Sequence, residues 1–360
     1  MKQKMLYVSH VDWRWIKQRP HFIAEGLMAH LDVSVLYTFQ NRGRDQLQKR
    51  KINEGDIRPL YYIPMSGRIK PLGVVNKFFI RTQLMHHIRR VKPEFLYLTY
   101  PNQIAYLPNQ FKGKVIYDCM DDHIAMAPPS MKAKLENFER QMLCQADIVL
   151  VTSENLRHVL IQHYGGEYSE KMCLVRNGYS GKVLEIESNL SKNSEKFTIA
   201  YFGTIGKWFD FDLLLKSLDE FPNLSYKIIG PVETALSVPQ HERMEFTGTV
   251  DHSKLYDAVK ETDCLIMPFV VNDIVASVDP VKLYEYINFN KNILCVNYPE
   301  IQRFEPFVHF YHDYESYFSQ IRSMMADNTI RYSAEAREQF LKANNWSNRV
   351  CTIVDILQKA

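Results

Sequence analysis

Lys282 and Glu285 stand three residues apart in the run VKLYEYIN. On a helix that spacing puts both on one face, so an ammonium and a carboxylate can look into one space. Pro280 suits a first helical turn, and Asp279 before it is a plausible N-cap. A helix N-terminus with a lysine beside it favours phosphate. Glu285, an acceptor-only group when ionised, suits two adjacent hydroxyls such as those of a ribose. The plainer reading of the same pair is an i,i+3 salt bridge on a solvated helix. Two further groups carry chemistry. Gly203–Thr204–Ile205–Gly206–Lys207–Trp208 follows the strand-like run 197–202, where backbone amides could approach a phosphate. Asp118, Asp121, Asp122 and His123 follow the strand-like run 115–117. Carboxylates at the end of a parallel strand sit where α/β folds bind ligands, although such residues also cap turns.

The elements that must hold these groups alternate. Residues 4–8, 19–30 and 32–39 read as strand, helix and strand, a βαβ unit that implies a parallel sheet. Strands follow at 59–63, 95–99, 115–117, 147–151 and 172–175, with helices near 132–146 and after Ser153. No G-x-G-x-x-G follows the first strand, so no dinucleotide is expected there. Residues 184–196 are polar, rich in Ser and Asn, and aperiodic, as a linker would be. The rhythm then restarts with strands at 197–202, 225–229, 245–248, 263–268, 293–296 and 308–311, and helices at 209–218, 314–325 and 332–344. The expected division is 1–183, a linker 184–196, and 197–345.

Composition narrows the class. The 360 residues suit two domains of ordinary size, and no run of about 18 apolar residues suggests a membrane span. The start goes straight into a strand-like run with no signal-peptide core. Six cysteines without C-x-x-C spacing fit reduced, packed thiols, and neither a disulfide framework nor a zinc site is expected. The net charge of +3 hides an asymmetry: residues 1–185 hold 27 Lys and Arg against 17 Asp and Glu, and residues 186–360 hold 17 against 24. A basic first half points to an anionic partner. Its cations are dispersed and no nucleic-acid motif is present, so an anionic membrane surface is the better candidate. Residues 66–92 join Val74, Val75, Phe78, Phe79, Ile80 and Leu84 to Arg68, Lys70, Lys77, Arg81, Arg89, Arg90 and Lys92. That is the make-up of an interfacial membrane helix, or of an amphipathic helix packed on the sheet with a solvated basic face.

The wording of several segments adds to this. DPVKLYEYINFNKNILCVN resembles the donor-binding helix and strand of GT-B glycosyltransferases, with Asn290 and Asn292 in place of the usual Gly and Pro. VIYDCMDD, QRPHFIAEGL and YFGTIGKWFDFDLL resemble segments of bacterial exopolysaccharide and teichuronic-acid glycosyltransferases of the group 1/4-like kind. VRNGYS resembles the turn that closes the N-terminal domain of GT-B enzymes, with Arg176 where Pro is usual. The resemblance implies an α/β protein of two Rossmann-like domains facing across a cleft, with the C-terminal helix 346–360 crossing back to the N-terminal domain. It implies a donor site of Gly203, Thr204, Gly206, Lys207, Pro268, Phe269, Lys282, Leu283 and Glu285, with Lys282 on the diphosphate and Glu285 on the ribose. It places the catalytic base at Asp121 or Asp122, and acceptor contacts at His10, Trp13 and Arg19. Ser277 stands eight residues before Glu285, where retaining members often have Glu, so inversion is favoured.

The implied activity is transfer of a hexosyl or uronosyl group from a nucleoside diphosphate sugar, UDP-sugar favoured, to a hydroxyl of a glycan or polyprenyl-diphosphate-linked acceptor. The setting would be cell-surface polysaccharide synthesis in the cytoplasm, peripheral to the inner face of the plasma membrane. No cofactor and no catalytic metal are implied, and no nucleic acid. Two other classes stay open at this point: a nucleotide-sugar epimerase of the same fold, and a non-catalytic sugar-binding or scaffold member of an assembly complex.

Overall fold

The computed structural model describes residues 2–15, 17–39, 56–63, 70–108, 111–186, 196–234 and 236–359. The charged stretch 42–51, the first residues of the basic segment (66–69) and the heart of the expected linker (187–195) lie outside the described residues.

The chain forms two compact units, residues 1–177 with 346–360, and residues 178–345. The first is a seven-stranded sheet, β1 (Lys4–Ser9), β2 (Asp32–Thr38), β3 (Asp56–Leu60), β4 (Phe95–Leu98), β5 (Lys114–Cys119), β6 (Ile148–Val151) and β7 (Met172–Leu174), in the order 3-2-1-4-5-6-7. Every pairing is parallel. Its helices are α1 (Arg19–Leu27), α2 (Lys70–Val91), α3 (Pro129–Gln145) and α4 (Glu154–Tyr164). Near-continuous apolar strands such as KMLYVS and FLYL, buried almost throughout, are what a sheet covered on both faces requires. Two cores result, one around Leu96, Tyr117 and Leu143, the other around Tyr7, Ile23 and Ile116.

The second unit has six parallel strands, β8 (Phe197–Phe202), β9 (Leu224–Ile229), β10 (Met244–Gly248), β11 (Cys264–Met267), β12 (Asn292–Val296) and β13 (His309–Tyr311), in the order 10-9-8-11-12-13. Its helices are α5 (Phe211–Glu220), α6 (Leu255–Val259), α7 (Asp273–Ala276), α8 (Val281–Asn288), α9 (Tyr314–Ala326) and α10 (Ala334–Ala343). Each sheet therefore reverses its strand order beside its first strand, between β1 and β4 and between β8 and β11. Doubly wound sheets bind ligands at the carboxyl ends of the strands at such a reversal.

The last helix, α11 (Trp346–Lys359), belongs to the first unit. Trp346 stacks on Phe22 of α1 with ring centroids 5.0 Å apart, and Val350, Ile353 and Leu357 enter the core with Ile23, Ala24 and Leu27. Gly26 makes this packing possible, because a Cβ there would fall inside the Val350 side chain. The division of the chain falls after Asn177, earlier than the polar composition suggests. Tyr179 is in the second unit's core, and its hydroxyl accepts from Asn288 Nδ2 at 2.6 Å. Leu184 N–H donates to Asn288 Oδ1 at 3.0 Å, so residues 178–186 are anchored to the second unit. Among the described residues, no helix is long and apolar enough to cross a membrane.

Trp346→Ala should cost the first unit about 3 kcal/mol, the usual loss for deleting a buried large aromatic. Urea unfolding followed by far-UV circular dichroism reads this. A loss below about 1 kcal/mol would mean that α11 adds little to that unit.

Candidate functional site

In the second unit, the chain leaves β8 at Gly203 with φ +140°, a conformation that favours glycine. Gly230, at the end of β9, has the same φ, and a Cβ there would collide with Gly203 O. Gly203 N–H donates to Ile229 O at 2.9 Å, and Ile205 N–H to Pro231 O at 2.9 Å. These two amides are spent on holding the turn. Among the described residues no acceptor is found for the amides of Thr204 and Gly206.

Lys282, near the start of α8, lies over this turn. A Cβ on Gly203 would fall on the Lys282 side chain, so the missing side chain is what lets the ammonium approach. Lys282 Nζ donates to Tyr201 Oη at 2.9 Å, and Tyr201 Oη donates to Thr204 O at 2.7 Å. The ammonium sits 5.1 Å from the Tyr201 ring centroid and 5.4 Å from that of Phe269. Burial brings the Lys282 pKa down to about 8, partly opposed by the charge of Glu285. Tyr201 was not singled out by its spacing, although it lies two residues before the glycine of the turn.

Phe269 is buried and forms an antiparallel bridge with Phe209. Asp210 N–H donates to Pro268 O at 2.8 Å, and Val270 N–H to Trp208 O at 2.7 Å. The turns after β8 and β11 are thus laced together through backbone. Pro268 contributes by its carbonyl and Phe269 by its ring. Lys207 is exposed, with no ion pair found for it among the described residues. The Leu283 side chain is fully buried core, so it supports α8 and offers a ligand nothing beyond its backbone.

Glu285, 17% exposed, pairs through Oε1 with His252 Nε2 at 2.7 Å. That hydrogen bond, opposed by partial burial, raises the His252 pKa. His252 is 72% exposed and follows the Asp251 cap of a short 3-10 turn. Nothing local in the sequence shows that this histidine meets a carboxylate 33 residues away. The salt-bridge partner of Glu285 is therefore His252 rather than Lys282. The N-cap position of α8 is Pro280, and Asp279 is buried in an ion pair with Arg303.

In the first unit, a cavity of about 820 Å³ opens beside the carboxyl ends of β1, β4 and β5. Its polar end holds His10, Tyr100, Asp121 and His123. The three rings cluster, with His123 centroids 4.6 Å from Tyr100 and 5.7 Å from His10. Desolvation raises the Asp121 pKa to about 7, against the lowering effect of Arg19. Burial holds His10 down at about 4 and His123 at about 3, so both rings are neutral at physiological pH. His123 Nε2 has no hydrogen-bond partner among the described residues. An unpaired buried donor or acceptor at a cavity wall is a group set for a ligand.

The other expected residues of this unit are placed differently. Asp122 accepts from Ala125 N–H at 2.8 Å and closes a turn, and it does not line the cavity. Arg19 is 5% exposed and grips the fully buried Asp118, with Nη2 to Oδ1 at 2.9 Å and Nε bonded to both carboxylate oxygens. Trp13 is buried and packs on His21 with centroids 4.4 Å apart. Arg19 and Trp13 are internal structure and are not available to an acceptor. His10 alone of that trio reaches the cavity. Tyr100 was missed, and His123 was named with its segment but given no role, because the turns after β4 and β5 are brought together only by the sheet.

The depressed Lys282 pKa has a consequence for stability. Between about pH 8 and the ordinary lysine value of 10.5, the unfolded chain binds a proton that the folded chain does not. Stability from this residue therefore rises with pH across that window. Lys282→Met should be more stable than the native chain at pH 7. Its advantage should shrink by about 1.4 kcal/mol per pH unit from about pH 8 upward, read as paired urea titrations. A constant gap would mean that the ammonium is not desolvated.

No protein-family profile matches the chain. The "Putative teichuronic acid biosynthesis glycosyltransferase TuaH" of Bacillus subtilis (strain 168) is 21% identical over 256 residues, 65% of this chain. The match spans 64% of that protein's length. Among solved structures, sucrose-phosphate synthase of Thermosynechococcus elongatus superposes with a TM-score of 0.75 at 14% identity, over 99% of each chain. Anabaena HepE, solved with UDP and glucose, gives 0.69 at 11% identity, over 99% of this chain and 100% of that one. A UDP-N-acetylglucosamine 2-epimerase reaches 0.52 at 13%, over 99% and 95%. Two parallel doubly wound sheets, with the final helix returning to the first unit, are the GT-B fold, and it is on this glycosyltransferase fold that the chain is built.

Proposed function

We propose that the protein is a glycosyltransferase that moves a sugar from a nucleoside diphosphate sugar, UDP-sugar favoured, to a hydroxyl of a glycan or lipid-linked acceptor. The observation that carries this reading is the seat of Lys282 over Gly203, beside the open amides of Thr204 and Gly206. A cation held beside a turn with two amides that lack an acceptor among the described residues suits a diphosphate. The second carboxylate oxygen of Glu285 is the group for the ribose hydroxyls, with His252 holding the first.

In the reaction, the acceptor oxygen attacks the anomeric carbon as its proton passes to the Asp121 carboxylate. The bond from that carbon to the diphosphate breaks, and the charge left on the diphosphate is stabilised by Lys282 and the two amides. A base acting directly on the acceptor implies inversion, in keeping with the small Ser277, which is buried and has no carboxylate to offer. The raised pKa of Asp121 suits it for this role, since a general base works best near the pH at which it operates. The chemistry needs no metal in this scheme. The charge of the basic first half and the exposed apolar residues of α2 support a reading in which it works at the cytoplasmic face of an anionic membrane, in cell-surface polysaccharide synthesis.

Asp121→Asn should lower kcat by about 10²–10⁴-fold while UDP-induced thermal stabilisation persists. A variant with native turnover would remove Asp121 from the chemistry. The pH profile of kcat/KM should rise through about 7 as Asp121 ionises and fall above about 8 as Lys282 loses its proton. A profile flat across that range contradicts both roles. Turnover should survive EDTA; its loss with restoration by Mg²⁺ would make the reaction metal-dependent. Glu285→Ala should abolish stabilisation by UDP. Interconversion of UDP-sugars without release of UDP would identify an epimerase instead, and no stabilisation of the native chain by any nucleotide would favour a non-catalytic role.

A further inference from the structure

Thr99, the residue after β4, sets the hydrogen placement of two imidazoles. It is fully buried, and its N–H donates to Gln103 Oε1 at 2.8 Å. Its hydroxyl donates to Val8 O at 3.2 Å, so it can only accept from the His10 ring, whose Nδ1 lies 2.9 Å away. His10 therefore carries its hydrogen on Nδ1, and its Nε2 is a bare lone pair in the neutral ring. The Thr99 backbone also hydrogen-bonds to the His123 ring, and that bond opposes the fall in the ring's pKa, as an accepting carbonyl does. Nε2 of His123 is the nitrogen without a partner among the described residues, so the bond to Thr99 belongs to Nδ1. His123 is thus the same tautomer as His10.

Two acceptor-only nitrogens and a carboxyl group therefore belong to one cavity wall. His10, His123 and Asp121 line it together, and the Tyr100 ring lies 5.1 Å from His10 and 4.6 Å from His123. Burial keeps both imidazoles unprotonated well below neutral pH, so neither lone pair is taken up by a proton. A buried lone pair is satisfied only by a group that brings a hydrogen. A phosphate or carboxylate oxygen brings none at neutral pH. A hydroxyl brings one, and keeps its own lone pairs for other partners. In the proposed reaction one acceptor hydroxyl gives its hydrogen to Asp121. His123, two residues along, is left for another.

We propose that His123 is a specificity-determining residue for the acceptor, its Nε2 accepting from a second hydroxyl of the sugar whose first hydroxyl gives its proton to Asp121. The ring selects without reacting: it holds a hydroxyl and does not take its proton. An acceptor whose second hydroxyl is missing or capped leaves a buried nitrogen unpaired and is bound less well. The assignment rests on the transferase reading and names the feature by which that site recognises its acceptor.

Nitrogen NMR on the full chain, labelled at the histidine rings, tests it. At pH 7 His10 and His123 should each show a protonated Nδ1 and a bare Nε2. The His123 Nε2 signal should move on addition of at least one of the methyl glycosides of glucose, galactose and mannose. A His123 ring protonated at Nε2 would overturn the assignment, and so would an Nε2 that responds to none of the three. Both readings use the native chain and do not depend on a variant that folds. His123→Phe, which keeps a flat ring without a lone pair, should bind the responding glycoside about tenfold more weakly. His123→Gln, whose amide oxygen accepts, should regain most of that affinity. Among the monodeoxy forms of the glycoside, one should bind the native chain about tenfold more weakly than the parent, yet bind His123→Phe as well as the parent does. Equal discrimination by the native chain and His123→Phe would mean that the lone pair selects no hydroxyl, and would overturn the assignment. Loss of the transferase reading looks different: no thermal shift with UDP, while the Nε2 response to glycosides persists.

Discussion

The turn after β8 depends on one close approach, that of the Lys282 side chain to the backbone at Gly203. The ammonium is drawn into a partly desolvated place between two aromatic rings, at a cost visible in its lowered pKa. A single hydroxyl, Tyr201 Oη, compensates in part by accepting from it. Any side chain at residue 203 would displace the lysine, and any side chain at residue 230 would displace residue 203. Two glycines at the ends of adjacent strands are thus required by one cation, and the cation is left with bonding capacity unused. A charge held in this state gains most from an anionic ligand.

The first unit handles charge in the opposite way. Its deepest ion pair, Arg19 with Asp118, is complete in itself: both partners are buried, and Tyr97 Oη and the Arg176 carbonyl supply further bonds. Such a pair fixes α1 to β5 and has nothing left to offer a ligand. Three residues along from Asp118 the chain emerges at Asp121, whose carboxyl lacks that compensation and is pushed up to about 7. Satisfied carboxylate and unsatisfied carboxylate lie within one short segment, DCMD. The first is held in its ion pair and the second is raised by desolvation, a separation made by environment alone.

The two units also differ in how they meet their surroundings. In the second, most large apolar side chains are gathered into one core that runs from Tyr179 to Leu341. In the first, α2 buries Ile80 and Leu84 and leaves an apolar stretch facing outward, among cations. Such exposure has a cost for a chain in water, and one of its residues, Val74, lines the cavity that contains Asp121.

From residue order alone, the alternation of strands and helices, the two sheets, the glycine turn and the Lys282–Glu285 face were all legible. Each depends on neighbours within a turn or a strand, and local sterics and periodicity act at that range. The same holds for the basic, apolar character of α2. What residue order left open was which polar groups are consumed. Asp121 and Asp122 look alike in sequence, yet one enters a cavity and the other caps a turn. Arg19 and Trp13 look like a loop and helix start suited to a ligand, yet they are enclosed by β5 and His21. Glu285 meets His252, and the division of the chain falls after Asn177, with Asn288 tying Tyr179 and Leu184 to the second unit. These outcomes follow from contacts between segments that are tens of residues apart. Only the folded sheet brings such segments within hydrogen-bonding distance, so tertiary structure alone decided which charges are free to act.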